Sequence, residues 1–102
     1  MLTRDFFGGF IKIHILHHAS REPICGSEIR EELATHGYDL SPGTLYPLLH
    51  TLEKQGYLSL VKGKVSGKAR KYYEITSEGA RALKESKAKI KELVLEVIFE
   101  EE

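Results

Sequence analysis

The segment from residue 41 to residue 58 constrains the fold of this chain most, because it combines a helix start with a single apolar stripe. Ser41 suits the N-cap of a helix, and Pro42 suits the first helical position. The apolar residues that follow recur with the period of a helix: Leu45, Leu48, Leu49 and Leu52. The sequence therefore predicts a helix that docks one face on a hydrophobic core.

The opposite face of this predicted helix lacks the row of Glu and Lys that usually covers a solvated surface. It carries small and hydrogen-bonding residues: Gly43, Pro47, His50, Thr51 and Lys54, flanked by Thr44 and Tyr46. Such a face can approach a partner closely. Pro47 removes a backbone hydrogen bond in the second turn, so either the helix bends there or residues 41–46 form a distorted lead-in turn. We favour the bend.

A basic segment follows the helix directly. Residues 54–73 contain no acidic residue and six basic ones: Lys54, Lys62, Lys64, Lys68, Arg70 and Lys71. The pattern predicts strands over residues 57–62 and 70–75, joined by a flexible glycine-bounded tip over residues 63–68. A polar-faced helix followed by a basic hairpin is typical of a winged helix-turn-helix, which lays the helix in the major groove of DNA and the hairpin along the phosphates.

The same glycines raise the alternative of a nucleotide-binding phosphate loop, which we reject. That loop needs four residues between its first glycine and the Gly-Lys pair, then Ser or Thr, and it lies between a strand and a helix. Here three residues separate Gly63 from Gly67, Ala69 follows Lys68, and a strand comes next.

Composition limits the class of protein without naming it. At 102 residues there is room for one domain, with a modest core that gains from burial against a partner. The net charge is zero, yet Lys and Arg residues cluster in the hairpin and Glu residues are concentrated at the C-terminus. No long apolar run or signal-peptide layout is present, and Cys25 is the single cysteine. We therefore expect a cytoplasmic protein.

Two helices are predicted before the polar-faced one. The first spans residues 3–19 with Thr3 as its N-cap. Apolar residues lie on nearly all sides of this helix. One stripe consists of Phe6, Phe10, Ile13 and His17, and a second set that points elsewhere consists of Phe7, Ile11 and Ile15. Such a helix is packed on both sides, which in so short a chain suggests a second copy. The next helix is capped by Ser27, runs to His36 and ends at Gly37, with Ile29, Leu33 and Ala34 facing inward.

The last predicted helix begins at Thr76 and runs to Phe99. Its apolar stripe follows alternating steps of three and four: Ala80, Leu83, Lys87, Ile90, Val94 and Val97. This spacing is that of a short coiled-coil seam, and a symmetry mate is its simplest cover. We predict a homodimer whose interface includes Phe6, Phe7, Phe10, Leu83, Ile90, Val94, Val97 and Ile98. On this view residues 1–76 form the DNA-binding domain and residues 77–102 a C-terminal dimerisation helix.

Two motifs resemble those of the PadR family of transcriptional regulators. They are LSPGTLYPLLHTLEKQGYL at residues 40–58 and GKARKYYEITSEG at residues 67–79, and with GSEI at residues 26–29 the resemblance covers nearly the whole chain. It implies a mostly α fold with a small β-hairpin, arranged as a winged helix-turn-helix. It further implies a dimer that is made by the N-terminal helix and the long C-terminal helix. It also implies binding to double-stranded operator DNA and repression, which in many members a small aromatic or cationic effector relieves.

By position, the resemblance assigns DNA contacts to two groups of residues. The recognition helix would supply Ser41, Gly43, Thr44, Tyr46, Pro47, His50 and Lys54, and the wing Lys62, Lys64, Lys68, Arg70 and Lys71. This chain departs from the family pattern at Cys25, where a His is usual, and at Ser27, where a Tyr is usual. It resembles the short branch of the family, and without Trp it cannot form the drug-stacking tryptophan pair of some short members.

Other functions have weaker support. A winged-helix protein-interaction module without DNA binding is the main alternative. His14 and His18 are i, i+4 neighbours, but the interval is not HExxH and no carboxylate stands close in sequence, so we expect ordinary histidines and no metal. A redox role for Cys25 needs an exposed, electropositive thiol, and Arg21 is the base nearby in sequence.

The apolar ends of the first and last helices leave two readings open, plain dimer packing or the wall of an effector pocket between subunits. No nucleophile, base and orienting group stand together, so we expect no enzymatic activity and no cofactor.

Overall fold

The computed structural model describes residues 4–65 and 68–100 and shows a mostly helical chain with one antiparallel hairpin, as predicted. Its elements are α1 (Arg4–Arg21), α2 (Gly26–Thr35), α3 (Pro42–Lys54), β1 (Leu58–Val65), β2 (Lys68–Ile75) and α4 (Ser77–Val94), followed by a π-helical turn, Leu95–Phe99. Thr3, the predicted cap of α1, lies outside the described residues. Among the described helices, none is both long and apolar enough to cross a membrane.

The core joins all four helices and the hairpin. The most deeply buried side chains, none more than 2% exposed, are Ile15 of α1, Ile29 and Leu33 of α2, Leu45, Leu49 and Leu52 of α3, and Leu58 of β1. The apolar stripe of α3 is therefore inside, as its spacing predicted, with Leu48 half-buried at its margin. Burying each such leucine contributes about 1.5–3 kcal/mol, so this face fixes the orientation of α3.

The start of α2 differs from the prediction. The helix begins at Gly26, Cys25 occupies the N-cap position, and the N–H of Ile29 donates to the Cys25 carbonyl at 3.0 Å. Ser27 is thus an exposed first-turn residue and not the cap. Ala34, predicted to face inward, is exposed. The predicted stop is confirmed, because Gly37 adopts φ +91°, a conformation that glycine tolerates best.

Helix α3 is one continuous helix from Pro42 onward. The alternative of a distorted lead-in turn is wrong, because Thr44 and Leu45 both donate their backbone N–H to the Ser41 carbonyl. Ser41 stands at the N-cap, but its hydroxyl donates to Thr44 Oγ1 at 3.3 Å and does not cap the backbone. A bend at Pro47 stays a prediction.

The hairpin is longer than predicted. Strand pairing continues from Leu58 opposite Ile75 to Val65 opposite Lys68, so Gly63, Lys64, Val65 and Lys68 belong to the strands and not to the tip. A ladder of backbone hydrogen bonds favours extension over a loose glycine loop. Ile24, between α1 and α2, pairs with Tyr73 through two backbone hydrogen bonds of 2.9 and 2.7 Å, which anchors the hairpin to the start of α2.

The start of α4 is attached to the base of the hairpin by close contacts. The Thr76 hydroxyl accepts the N–H of Gly79 at 3.0 Å, which caps α4, and donates to the Gly56 carbonyl at 2.6 Å. Gly79 packs so tightly that a Cβ there would fall on the Tyr57 carbonyl oxygen and 2.8 Å from Ile75 Cγ1. This close approach sets the angle at which α4 leaves the hairpin.

Beyond Leu83, α4 leaves the core. Leu83 is 5% exposed and belongs to the core of its own chain, whereas the side chains from Leu93 onward are half-buried or exposed. Leu83 was predicted at a dimer interface, and its burial within one chain leaves little of it for a partner. The regular α-helix ends at Val94, earlier than predicted, and the π-helical turn continues it to Phe99.

We predict that Gly79→Ala lowers the free energy of unfolding by about 1–3 kcal/mol, because the added methyl must push apart backbone that cannot move alone. Gly8→Ala in α1 is the matched control, since a Cβ at Gly8 meets nothing within 4 Å. That control should gain up to about 1 kcal/mol from helix propensity. Urea titration followed by circular dichroism measures both, and equal stabilities would contradict the packing described for Gly79.

Candidate nucleic-acid interface

The outer face of α3 is exposed along its length. Its residues are Gly43, Tyr46, Pro47, His50, Thr51 and Lys54, all exposed, with Thr44 half-buried beside them. The leucines on the opposite side hold this face outward. Since α3 spans Pro42–Lys54 at about 1.5 Å per residue, the exposed strip is long enough to lie in a groove of B-form DNA.

The polar groups of this face have defined local partners. Thr51 Oγ1 donates to the Pro47 carbonyl at 2.9 Å, and His50 Nδ1 lies 3.7 Å from Glu53 Oε1. Glu53, the only acidic residue of α3, is half-buried and therefore less available to repel a polyanion. The face thus offers a ligand the ammonium group of Lys54, the phenol ring of Tyr46, the imidazole of His50 and threonine hydroxyls.

The start of α2 meets α3 at Tyr46. A Cβ at Gly26 would lie 2.6 Å from the Tyr46 hydroxyl oxygen, so the glycine is what lets this ring rest on the first turn of α2. Tyr46 is 47% exposed, and its free edge faces outward beside Ser27. Helix α3 and the N-terminus of α2 therefore form one continuous surface.

The hairpin closes this surface into a shallow concavity. It is lined by Cys25, Gly26 and Ser27 of the α2 start, Tyr46 of α3, and Arg70 and Lys71 of β2. Arg70 and Lys71 are exposed, and Arg70 Nη1 lies 3.9 Å from Cys25 Sγ. A helix N-terminus presents unpaired N–H groups and favours anions, and two cationic side chains stand beside it. The concavity is suited to a backbone phosphate.

Sequence reasoning missed the contribution of the α2 start. Ser27 was predicted only to cap α2, and Gly26 was noted only as part of a family motif. Both residues are far from Arg70 along the chain, so the sequence did not indicate that they share a surface with it. Glu28, the acid in the same turn, lines a different groove with His18 and Arg21. The concavity therefore keeps a basic character.

Cys25 does not fit a redox sensor. Its side chain is 4% exposed, and its sulfur lies near Arg70 Nη1 and 3.6 Å from Ser27 Oγ, with Arg21 in neither contact. A reactive thiol needs an accessible thiolate. The burial of Cys25 favours a structural role at the start of α2.

The wing carries one pair of directly opposed basic residues. The register places Lys62 opposite Lys71, Gly63 opposite Arg70 and Lys64 opposite Ala69, while Lys68 opposes Val65 next to the tip. Like charges at directly opposed positions are unfavourable, and an anionic partner relieves that cost. The structure does not describe the side chains of residues 62–65, 68 and 69, so Lys62, Lys64 and Lys68 are placed by their strand positions alone.

Comparison with known proteins agrees with this geometry. The transcriptional regulator PadR-like family matches residues 15–85. A transcriptional regulator of Mycobacterium tuberculosis is 43% identical over 95 residues, which cover 93% of this chain and 89% of that protein.

Two solved structures have the same architecture. A PadR-like transcriptional regulator of Bacillus cereus is 32% identical with a TM-score of 0.84, covering 91% of this chain and 92% of its own. A PadR family transcriptional regulator of Eggerthella lenta is 36% identical with a TM-score of 0.77, covering 91% and 82%. These relatives are regulators and not enzymes, and the match extends over most of the described fold. The chain belongs to the PadR-like family of transcriptional regulators.

Proposed function

We propose that this regulator binds an inverted-repeat operator as a homodimer and represses transcription. The observation that carries the proposal is the continuous surface formed by the outer face of α3, the start of α2 and the basic strand β2. A helix and a basic ribbon on one side of a domain match the footprint of a winged helix on a duplex. Its partner, chromosomal DNA, would place the protein in the cytoplasm, at the nucleoid.

The residues of this surface would divide their roles by chemistry. Thr44, Tyr46 and His50 lie in the first three turns of α3, where hydrogen-bonding groups can reach base edges. Lys54 and the wing bases would neutralise phosphates, which gives affinity without sequence preference. Ser41, Gly43 and Pro47 complete the face, and their small or rigid side chains allow close backbone approach. The same phosphates would fill the concavity beside Arg70.

Dimerisation is supported by apolar surface that one chain leaves uncovered. Phe6 is 64% and Phe10 42% exposed at one end of α1, and Leu93, Val97, Ile98 and Phe99 are between 48% and 72% exposed at the far end of α4. An apolar groove between α1 and α4 includes Ile13, Ile90 and Leu93. Half-buried Phe7 and Val94 adjoin the exposed ends. A second copy covering both helices would hide this surface and pair two recognition helices by symmetry.

The aromatic end of α1 supports a small-molecule effector as part of the proposal. The Phe7 ring lies 4.9 Å from that of Phe6, 5.7 Å from that of Phe10 and 6.3 Å from that of Tyr38. Such a group of rings attracts flat aromatic compounds and, through its π faces, cations. If an effector binds there, next to the dimer surface, it can change the spacing of the two recognition helices and release DNA.

We predict that two classes of substitution weaken DNA binding differently. Arg70→Ala with Lys71→Ala should reduce affinity for every duplex and lower the salt dependence by about two units of slope, one for each lost phosphate contact. Tyr46→Ala should instead cost about 1–3 kcal/mol on the operator and little on random DNA. Fluorescence anisotropy across a salt series separates the two.

The matched control removes two exposed charges far from the interface. Lys84→Ala with Lys91→Ala on α4 changes net charge equally and should leave the slope unchanged. If this control and the wing variant lose the same slope, the wing has no special contact with DNA. Absence of duplex binding at low salt, together with capture of a partner protein, would instead establish the protein-interaction module.

We predict that Phe6→Glu with Ile98→Glu dissociates the dimer. Both side chains are exposed in one chain, so the folded protomer should persist, whereas each unpaired carboxylate buried at an interface costs on the order of several kcal/mol. Light scattering during gel filtration should show a dissociation constant raised at least about 100-fold. Ala34→Glu with Gln55→Glu, both at exposed positions, adds the same charge and should remain dimeric. A dimeric Phe6/Ile98 variant would place the interface elsewhere.

A further inference from the structure

A cluster of histidines lies away from the DNA-binding surface, where α1 meets the end of α2. His14 and His18 are one turn apart on α1, and His36 follows the last residue of α2. One ring nitrogen of each histidine lies within 4.8 Å of one ring nitrogen of each of the other two. The sequence showed only the pair on α1. The fold brings His36 to it.

An acidic side chain completes this histidine cluster. Glu32 Oε2 lies 3.2 Å from His36 Nε2 and 3.6 Å from His18 Nε2. No carboxylate stands close to His14 and His18 along the sequence, but the fold corrects that expectation, because α2 brings Glu32 to them. Three imidazoles and one carboxylate thus converge from two helices, and Cys25 is not among them.

Stacking and ordinary ion pairing explain this convergence poorly. The His14 ring stacks on the His36 ring at 4.6 Å and lies parallel to the His18 ring at 6.5 Å. If more than one of these rings were protonated, the charges would repel at close range, and Glu32 can compensate one. Burial lowers the pKa of His14, and His36 and His18 lower this pKa further, with Glu32 acting in the opposite sense.

Metal ligation uses the neutral form of imidazole, since it requires a free nitrogen lone pair. Three imidazole nitrogens and one carboxylate oxygen match the preference of Zn²⁺, Co²⁺ and Ni²⁺ for imidazole nitrogen with an added oxygen. By contrast, Ca²⁺ and Mg²⁺ prefer all-oxygen sites.

The distances are compatible with a metal after small side-chain rotations. Tetrahedral zinc with Zn–N bonds of about 2.0–2.1 Å separates its ligand atoms by about 3.3 Å. The present separations of up to 4.8 Å must therefore contract. The side chains of Glu32 and His36 are each 42% exposed and that of His18 is 27% exposed, so they can rotate and an ion can enter from solvent.

We propose that the histidine cluster binds one divalent transition-metal ion of the zinc, cobalt and nickel type, with His14, His18 and His36 as nitrogen ligands and Glu32 as the oxygen ligand. The site goes beyond the proposed DNA-binding function and does not depend on it. Because its ligands come from α1 and from the end of α2, a bound ion joins these two helices. Arg30 Nε of α2 also donates to the Leu40 carbonyl before α3 at 2.7 Å, so the ion would act on the segment that positions the recognition helix.

The test uses the full chain without an affinity tag, stripped of metal, and titrated with Co²⁺. Wild type should bind about one Co²⁺ per chain and develop the visible absorption of a four-coordinate nitrogen and oxygen site, which Zn²⁺ then abolishes by competition. Zn²⁺ should also raise the melting temperature by several degrees, because ligand binding stabilises the folded state.

Variants identify the ligands. His36→Gln and Glu32→Gln alter exposed or half-buried side chains and should fold normally, and each should weaken Co²⁺ binding at least about tenfold. His14→Gln with His36→Gln should abolish the visible bands. His17→Gln is the matched control on the same helix: its ring meets the His18 ring edge-on at 5.1 Å, but its nitrogens do not belong to the converging group of His14, His18 and His36. It should bind Co²⁺ like wild type.

Three outcomes would overturn the assignment. Wild type could show no Co²⁺ bands at millimolar metal, which would make the cluster a set of packed histidines. The His14/His36 variant could keep wild-type affinity while circular dichroism shows it folded. His17→Gln could lose as much affinity as His36→Gln, which would move the site to another ligand set.

Discussion

Burial of the leucine face of α3 is the interaction on which the rest of this structure depends. Leu45, Leu49 and Leu52 are essentially inaccessible, and they lie in the same core as Ile15 and Leu33. Turning α3 about its axis would expose these side chains at a cost of about 1.5–3 kcal/mol each. That cost holds the polar strip outward, so the surface proposed to bind DNA is a consequence of how the core is filled.

Close backbone contacts then position the other parts of the surface relative to α3. The bridge between Ile24 and Tyr73 attaches the hairpin to the start of α2, and Gly26 lets the Tyr46 ring rest there. Thr76 and Gly79 attach α4 at the base of the hairpin. These contacts involve backbone atoms and small residues, which leaves little freedom in the angle between recognition helix, wing and C-terminal helix.

The exposed apolar ends of α1 and α4, together with the histidine cluster, give this small regulator two places where a ligand can act. A core that ends at Leu83 leaves the apolar part of α4 and the aromatic end of α1 uncovered. In the proposed dimer these parts lie between the DNA-binding units, and the histidine cluster lies where α1 meets α2. Ligands at either place would act on the helices that set the distance between two recognition helices.

The sequence by itself determined the local elements: the period of the leucines predicted α3 and its buried side, and the acid-free stretch predicted a basic hairpin. Local patterning cannot place the end of one element against the start of another, so only the tertiary structure brought Ser27 and Gly26 to Tyr46 and Arg70, and Glu32 and His36 to His14 and His18. It also assigned Leu83 to the core of its own chain, where the heptad spacing had pointed to a partner. The physical reason is that periodicity reports which side of a helix is apolar, whereas packing between elements decides what that side meets.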